Sequence, residues 1–330
     1  MTAPSHPAVP PPSAAPGASA RGGTLTPQAP RRRRWRQTRS AKGVLFAAPL
    51  AAFIVLFFIV PLITVMTMSA SDWPLIRGYS GSNFPDNFSA PPATPGAPAY
   101  GVLNDPSLWP AVVFTVKYTV IVTVVMLALA LGLALLVQEV TRWNSLLRTA
   151  FLIPSAVGLA TASLLFYGFY TPAFGPVNPL LVSLGLPRIE FLGSQDGILW
   201  STVVLIIWRF TGFFMLIIMV GLQGISHDVY EAARVDGANA AQMFRRITLP
   251  LLRPSLVLCL VICVTGSLLA FDHFYIISKG AEGTSTIVML IFAEAFTRFD
   301  LGTAAALSVL VLVALVFINV FQLRVLRARD

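Results

Sequence analysis

The chain has 330 residues, of which 56% are hydrophobic and 11% charged, with a mean hydropathy of +0.76. Soluble domains carry about 25% charged residues, so there is too little charge here to cover a water-facing surface, and too much apolar side chain for a disordered chain. The composition is that of a polytopic membrane protein. The net charge of +9 would suit a nucleic-acid binder, but eight of the 23 Lys and Arg precede residue 43. There Arg31, Arg32, Arg33, Arg34, Arg36, Arg39 and Lys42 abut the first apolar run, a topology and anionic-lipid signal. No aromatic-basic platform accompanies them, so membrane lipid and not nucleic acid is the expected partner.

Residues 1 to about 30 are rich in Pro, Ala, Ser, Thr and Gly and read as a disordered tail. With the basic block they make a cytoplasmic tail over 1–40, ahead of a membrane domain over 41–330. A helix crossing the hydrocarbon core needs about 20 apolar residues. Six segments qualify, 44–68, 111–138, 147–170, 197–221, 254–278 and 301–323, so the expected fold is all-α with six transmembrane helices. The first is too long for a signal-peptide core and is expected to stay as an anchor. With the N-terminus cytoplasmic, seventeen Lys and Arg fall inside against four outside, Arg77, Arg188, Lys279 and Arg298, which places both termini in the cytoplasm. The outer segment 69–110, with its run Ser89–Gly96, reads as a flexible insertion, and the amphipathic stretch 285–299 as a short surface or re-entrant helix. Cys259 and Cys263 stand i,i+4 in one apolar run and say nothing of redox compartment.

The stretch 226–250, inside by this topology, has the punctuation of two short helices. Ser226 is an N-cap with Asp228 in the first turn, Gly237 is a C′ stop, Asn239 caps the second helix and Pro250 ends it. Ala232, Ala233 and Ala238 are small enough for another backbone to come close. Asp236 sits at the negative end of the first helix, where the macrodipole disfavours it by up to ~1 kcal/mol, so an external donor or cation is expected there.

Glu231-Ala232-Ala233, Asp236-Gly237-Ala238, Phe244, Ile247 and Leu249-Pro250 resemble, in order and spacing, the EAA loop of permease subunits of binding-protein-dependent ABC importers. Within that superfamily the chain is similar to the carbohydrate group, of maltose and glycerol-3-phosphate type. Arg148 through Pro154, Gly175-Pro176-Val177-Asn178, Trp208 with Gly212-Phe213, Phe271-Asp272 with Tyr275, Phe299-Asp300-Leu301-Gly302 and Ala304-Ala305-Ala306 are similar too, so the likeness spans about residues 44–325. Lys279-Gly280-Ala281-Glu282 departs from it, standing where many relatives have a Gly-Gly-Pro turn.

The resemblance implies a type I importer permease fold in a bacterial plasma (inner) membrane. It implies that 226–250 is a coupling helix in a groove of a separate cytoplasmic ATPase. Glu231, Ala232, Ala233, Asp236, Gly237, Phe244, Leu249 and Pro250 are the coupling residues; Glu231 and Asp236 would accept hydrogen bonds while Gly237 permits close contact. It further implies a homologous second permease, two ATPase subunits that hold ATP and Mg, and an extracytoplasmic substrate-binding protein. The chain itself is expected to bind no cofactor. Its only lysines, Lys42, Lys117 and Lys279, follow no phosphate-binding loop, so it is read as a transport subunit and not an enzyme.

Ionisable groups at membrane depth are functional candidates, and Lys117, Arg209, Asp272 and His273 are four such groups. In similar permeases the fourth and fifth spans line the substrate path, and here they supply Trp208, Arg209, Thr211, Phe213, Phe271, Asp272 and Tyr275. Asp272 is read as a hydroxyl acceptor and Trp208 or Phe271 as a stacking face for a sugar ring. The competing reading pairs Asp272 with Arg209 as a buried structural ion pair. Lys117, near the outer end of its span, is expected to snorkel, and His273 to pack. With His6 and His227 the only other histidines, no metal site is expected. The function expected is inward translocation of a mono-, di- or oligosaccharide by alternating access. Glycerophosphodiesters or polyols are the alternative cargo, and a membrane-embedded glycosyl- or acyltransferase the alternative class. The latter needs a catalytic base at a membrane face, and no His-x-x-x-x-Asp, Asp-x-Asp or interfacial Ser/His pair presents one.

Overall fold

A computed structural model describes residues 35–89, 101–139, 141–281 and 283–327. The Pro-rich tail, Arg31 to Arg34, the run after Ser89 and Glu282 lie outside the described residues. The chain divides into two units, 1–58 and 59–330. In the first, α1 (Trp35–Ile54) leads into a π-helical turn, with the Phe53 and Phe57 rings 4.8 Å apart.

The second unit opens on α2 (Val60–Ser69), followed by a ribbon of β1 (Ser71–Asp72) and β2 (Gly81–Ser82) and a turn of helix, α3 (Asp86–Ser89). Then come α4 (Leu108–Leu136), α5 (Arg142–Ala156), α6 (Leu159–Tyr170), α7 (Val177–Ser183) and α8 (Gln195–Gln223). The hairpin helices α9 (His227–Val235), α10 (Ala240–Met243) and α11 (Leu249–Leu251) precede α12 (Arg253–Leu268), α13 (Asp272–Ser278), α14 (Ile287–Phe296) and α15 (Leu301–Arg327).

Among the described residues four helical stretches are long and apolar enough to cross a membrane, Phe46–Ser69, Leu108–Leu136, Gln195–Gln223 and Leu301–Arg324, and two bent pairs raise the number to six if each is one span. The bends correct two expected spans. Residues 147–170 are two helices, α5 and α6, meeting at 94°, where Pro154 and Gly158 flank an extended Val157. Residues 254–278 also divide: α12 stops at Leu268 and Asp272 opens α13, while α12 pairs instead with Ala240–Leu251 across a 63° bend. Hydropathy runs unbroken through both places, so composition alone does not reveal them. In hydrocarbon every backbone polar group needs a partner, and distant side chains provide it. Arg209 Nε donates to the Val157 carbonyl at 2.8 Å, and Thr286 Oγ1 donates to the Ala270 carbonyl at 2.7 Å.

The core lies between α4, α8 and α12. Phe114, Tyr118, Val122, Met126, Ala130 and Ala134 recur every four residues along α4 and are all buried, the helical face repeat. Gly212 brings α8 against α5 so closely that a Cβ there would lie 2.0 Å from the Phe151 carbonyl oxygen.

The segment expected as a flexible insertion is ordered over 71–89. Asn87, buried, donates to the Ser69 and Ser71 carbonyls at 3.0 and 2.9 Å. Leu301 N–H donates to Trp73 O and Leu75 N–H to Phe299 O, which ties the ribbon to the start of α15. The short helix expected in 285–299 is present as α14. It is apolar except for Glu294, which is buried, so it is not amphipathic. Thr286 caps it, and Thr115 Oγ1 of α4 accepts from Ile287 N–H at 3.1 Å.

Candidate functional site

The hairpin between α8 and α12 is capped at each turn. Ser226 Oγ accepts from Asp228 N–H at 3.3 Å. At the other end of α9, Gly237 N–H donates to Arg234 O and Ala238 N–H to Ala233 O, a Schellman closure. That closure needs a left-handed residue, and Gly237 takes φ +79°. Asn239 and Gln242 then form a reciprocal capping box at 2.9 and 3.0 Å. Pro250 does not end the second arm as expected. A π-helical turn, Phe244–Thr248, places Leu249 N–H on Phe244 O ahead of the proline, the helix continues to Leu251, and the bend falls at Leu252. The missing N–H of Pro250 is absorbed by the register shift.

Two contacts stiffen this hairpin that sequence reasoning missed. Tyr230 OH and Thr248 Oγ1 meet at 3.0 Å and join the two arms; no local spacing announces them. His227 Nδ1 lies 3.1 Å from Glu231 Oε1, an i,i+4 pair that was readable in the sequence. So was the Asn239–Gln242 box. Of the coupling candidates, Ala233 is buried under α9 and Phe244 half-buried, whereas Glu231, Ala232, Asp236, Gly237, Leu249 and Pro250 are exposed. Among the described residues a Cβ on Gly237 would meet nothing within 4 Å. A cleft of about 470 Å³ lies at the hairpin's root, lined by Gln138, Glu139, Gln223, His227, Tyr230 and Arg234 among others.

The pathway candidates divide among three places. Trp208 and Thr211 line a cleft where α8 meets α5; the Trp208 ring packs 5.3 Å from Phe166, and buried Thr211 Oγ1 donates to Ile207 O at 2.5 Å. Phe213 lines a second cavity of about 160 Å³ together with Tyr118, Phe210, Phe214, Cys263 and His273. Phe271 and Tyr275 stack at 5.2 Å and 24°, with Phe292 against both, and Asp272 stands exposed beside them in the first turn of α13.

The Asp272–Arg209 ion pair is not formed: Arg209 binds Val157 O and lies 4.4 Å over the Phe210 ring. Lys117 lies in the third turn of α4, where its Nζ meets Asp196 Oδ1 of the first turn of α8 at 2.8 Å, both side chains more than half exposed. His273 packs, as expected, but with a polar function that its neighbours did not reveal. Buried to 4% exposure, it shares a 3.0 Å hydrogen bond from Nε2 with Tyr118 OH, and Nδ1 has no partner among the described residues.

Long apolar helices, breaks tied by side chains and an exposed, capped hairpin are the architecture of a multi-pass membrane protein. The chain belongs to the family of binding-protein-dependent transport system inner membrane components, whose profile matches residues 127–329. It is therefore a transport component and not an enzyme. It is similar to the sulfoquinovosyl glycerol transport system permease protein SmoG of Agrobacterium fabrum, 32% identical over 307 residues, 92% of this chain and 96% of that one. It also resembles the trehalose/maltose transport system permease protein MalF of Thermococcus litoralis, 29% identical over 229 residues, 69% of this chain and 78% of that protein. The fold matches a chain of a bacterial ABC transporter involved in the import of the acidic polysaccharide alginate, with a TM-score of 0.73 and 22% identity, covering 88% of this chain and 99% of that chain.

Proposed function

We propose that the chain is one half of a two-permease pore that moves a sugar or glycoside into the cell by alternating access. The hairpin seats on a cytoplasmic ATPase, and an extracytoplasmic binding protein delivers the cargo. The observation that carries this reading is the hairpin itself. Its helices are fixed by caps, the Schellman closure and the Tyr230–Thr248 bond, yet Glu231, Ala232, Asp236 and Gly237 are left on its outside. A loop held so firmly while burying so little of its own surface suits force transmission to a neighbour. Closure of ATPases around ATP and Mg would then move α8 and α12, between which the hairpin is strung.

The carbohydrate cargo is supported by relatives named for sulfoquinovosyl glycerol, trehalose/maltose and arabinooligosaccharides. Stacked Phe271 and Tyr275 beside exposed Asp272 offer ring faces and a hydroxyl acceptor. The second permease, homologous to this one, completes the walls of the path. The excess of Lys and Arg on one side supports cytoplasmic termini. Replacing Gly237 with a bulky residue tests the reading: uptake is abolished while the chain is still made and inserted, and normal uptake in that variant would refute the ATPase contact.

A further inference from the structure

Glu294 is the one polar residue of α14, and it is buried, its side chain 4% exposed. Arg298, in the turn after α14, reaches back so that its Nη1 lies 2.5 Å from Glu294 Oε1 and 3.2 Å from Asp105 Oδ2. Asp105 belongs to the turn before α4 and is itself 8% exposed in its side chain; its other oxygen accepts from Ser107 N–H at 2.7 Å. One guanidinium therefore faces two buried carboxyls from different elements. Asp300, which caps α15 through Thr303, adds a third negative group nearby. Two buried carboxylates that share one half-exposed cation repel each other when both are charged.

We infer that Glu294 and Asp105 form a proton-binding site in which one shared proton, with Arg298, fastens α14 to the start of α4. The charged groups that face Glu294 are Arg298 from its own turn, Asp105 from the α4 side and Asp300 from the α15 side. Their balance assigns the proton. Burial pushes the Glu294 carboxyl up to about 7, Arg298 opposing and Asp105 and Asp300 adding to the rise. At Asp105 burial also works against the charge, but hydrogen bonds from Ser107 and the Arg298 cation outweigh it and hold that carboxyl below its usual value. Glu294 is thus the protonated partner, donating to a charged Asp105. In the orientation proposed above, this corner lies on the extracytoplasmic side, where a proton can arrive from outside the cell. Loss of the proton leaves two facing carboxylates and one guanidinium, and α14 is loosened from Asp105.

The test is infrared spectroscopy of the purified permease–ATPase complex in lipid nanodiscs, stepped from acid through neutral to alkaline pH. A protonated-carboxyl band should vanish through neutral pH. E294Q should lack it throughout. D105N should keep it but lose it at lower pH, because one facing negative charge has gone. Protection of the amides in 287–296, taken relative to their intrinsic exchange rates at each pH, should fall as pH rises in the wild type and stay level in E294Q. If E294Q does not assemble, D105N alone decides. A band untouched by E294Q, a D105N transition unmoved from the wild type, or wild-type protection in α14 that does not change with pH overturns the assignment.

Discussion

Arg209 of α8 reaches Val157 with its Nε 2.8 Å from the carbonyl oxygen, and the sharpest break in the bundle is thereby closed by a residue 52 positions away. The break turns the chain through 94° between α5 and α6, leaving a carbonyl that neither helix can use. An Arg in an apolar helix invites a substrate role; here it has structural work first. Arg209→Met leaves Val157 O without this donor and should lower stability by about 1–3 kcal/mol. Thermal unfolding of the detergent-purified chain checks this, and an unshifted midpoint contradicts it.

Gly212 sits next to the same junction. Alanine there would place Cβ 2.0 Å from Phe151 O, backbone against backbone, and the helices must separate. Overpacking of this kind costs about 1–3 kcal/mol. Gly132→Ala on α4, where the added methyl meets nothing within 4 Å, is the matched control and should be neutral or slightly stabilising. Equal melting of the two variants would show that α5 and α8 are not held at this distance.

Gly237 separates conformation from contact. Its φ of +79° costs an L-residue about 1–2 kcal/mol whatever its size, and none of the described residues crowds it. Gly237→Asn should therefore retain most uptake, Gly237→Ala somewhat less, and a bulky residue none. Uptake that falls no further from Ala to the bulky residue would mean that only backbone strain matters there and that no ATPase backbone lies against it.

Asp272 stands exposed next to stacked Phe271 and Tyr275. Without an ion pair to Arg209 to break, Asp272→Asn should leave assembly intact and weaken substrate use several-fold in KM. Uptake kinetics in cells together with the yield of assembled complex decide; loss of the complex would return Asp272 to a structural role.

The spans were legible because hydrophobic length is a composition property, and the hairpin because caps, glycines and prolines act locally. Ser226, Gly237 and Asn239 do what their residue types dictate. The breaks were not legible: Val157 and Ala270 sit in apolar runs, and their partners, Arg209 and Thr286, come from elsewhere in the chain. Pro250 misled because a π-turn upstream can shift the hydrogen-bond register around it. The order of 71–89 rests on Asn87 and on backbone pairing with Trp73 and Leu75, long-range bonds with no periodic signature. The pathway residues were found by type, but type does not reveal that Trp208 and Phe213 line different cavities.

Central to the account is that the exposed outer face of the hairpin rests on a second protein. A photo-crosslinking amino acid at Ala232, exposed on α9, tests this in intact cells. The account predicts an adduct whose second component is a nucleotide-binding ATPase, its yield changing when ATP is depleted. A complex that co-purifies with its ATPase yet gives no adduct from Ala232 would contradict it.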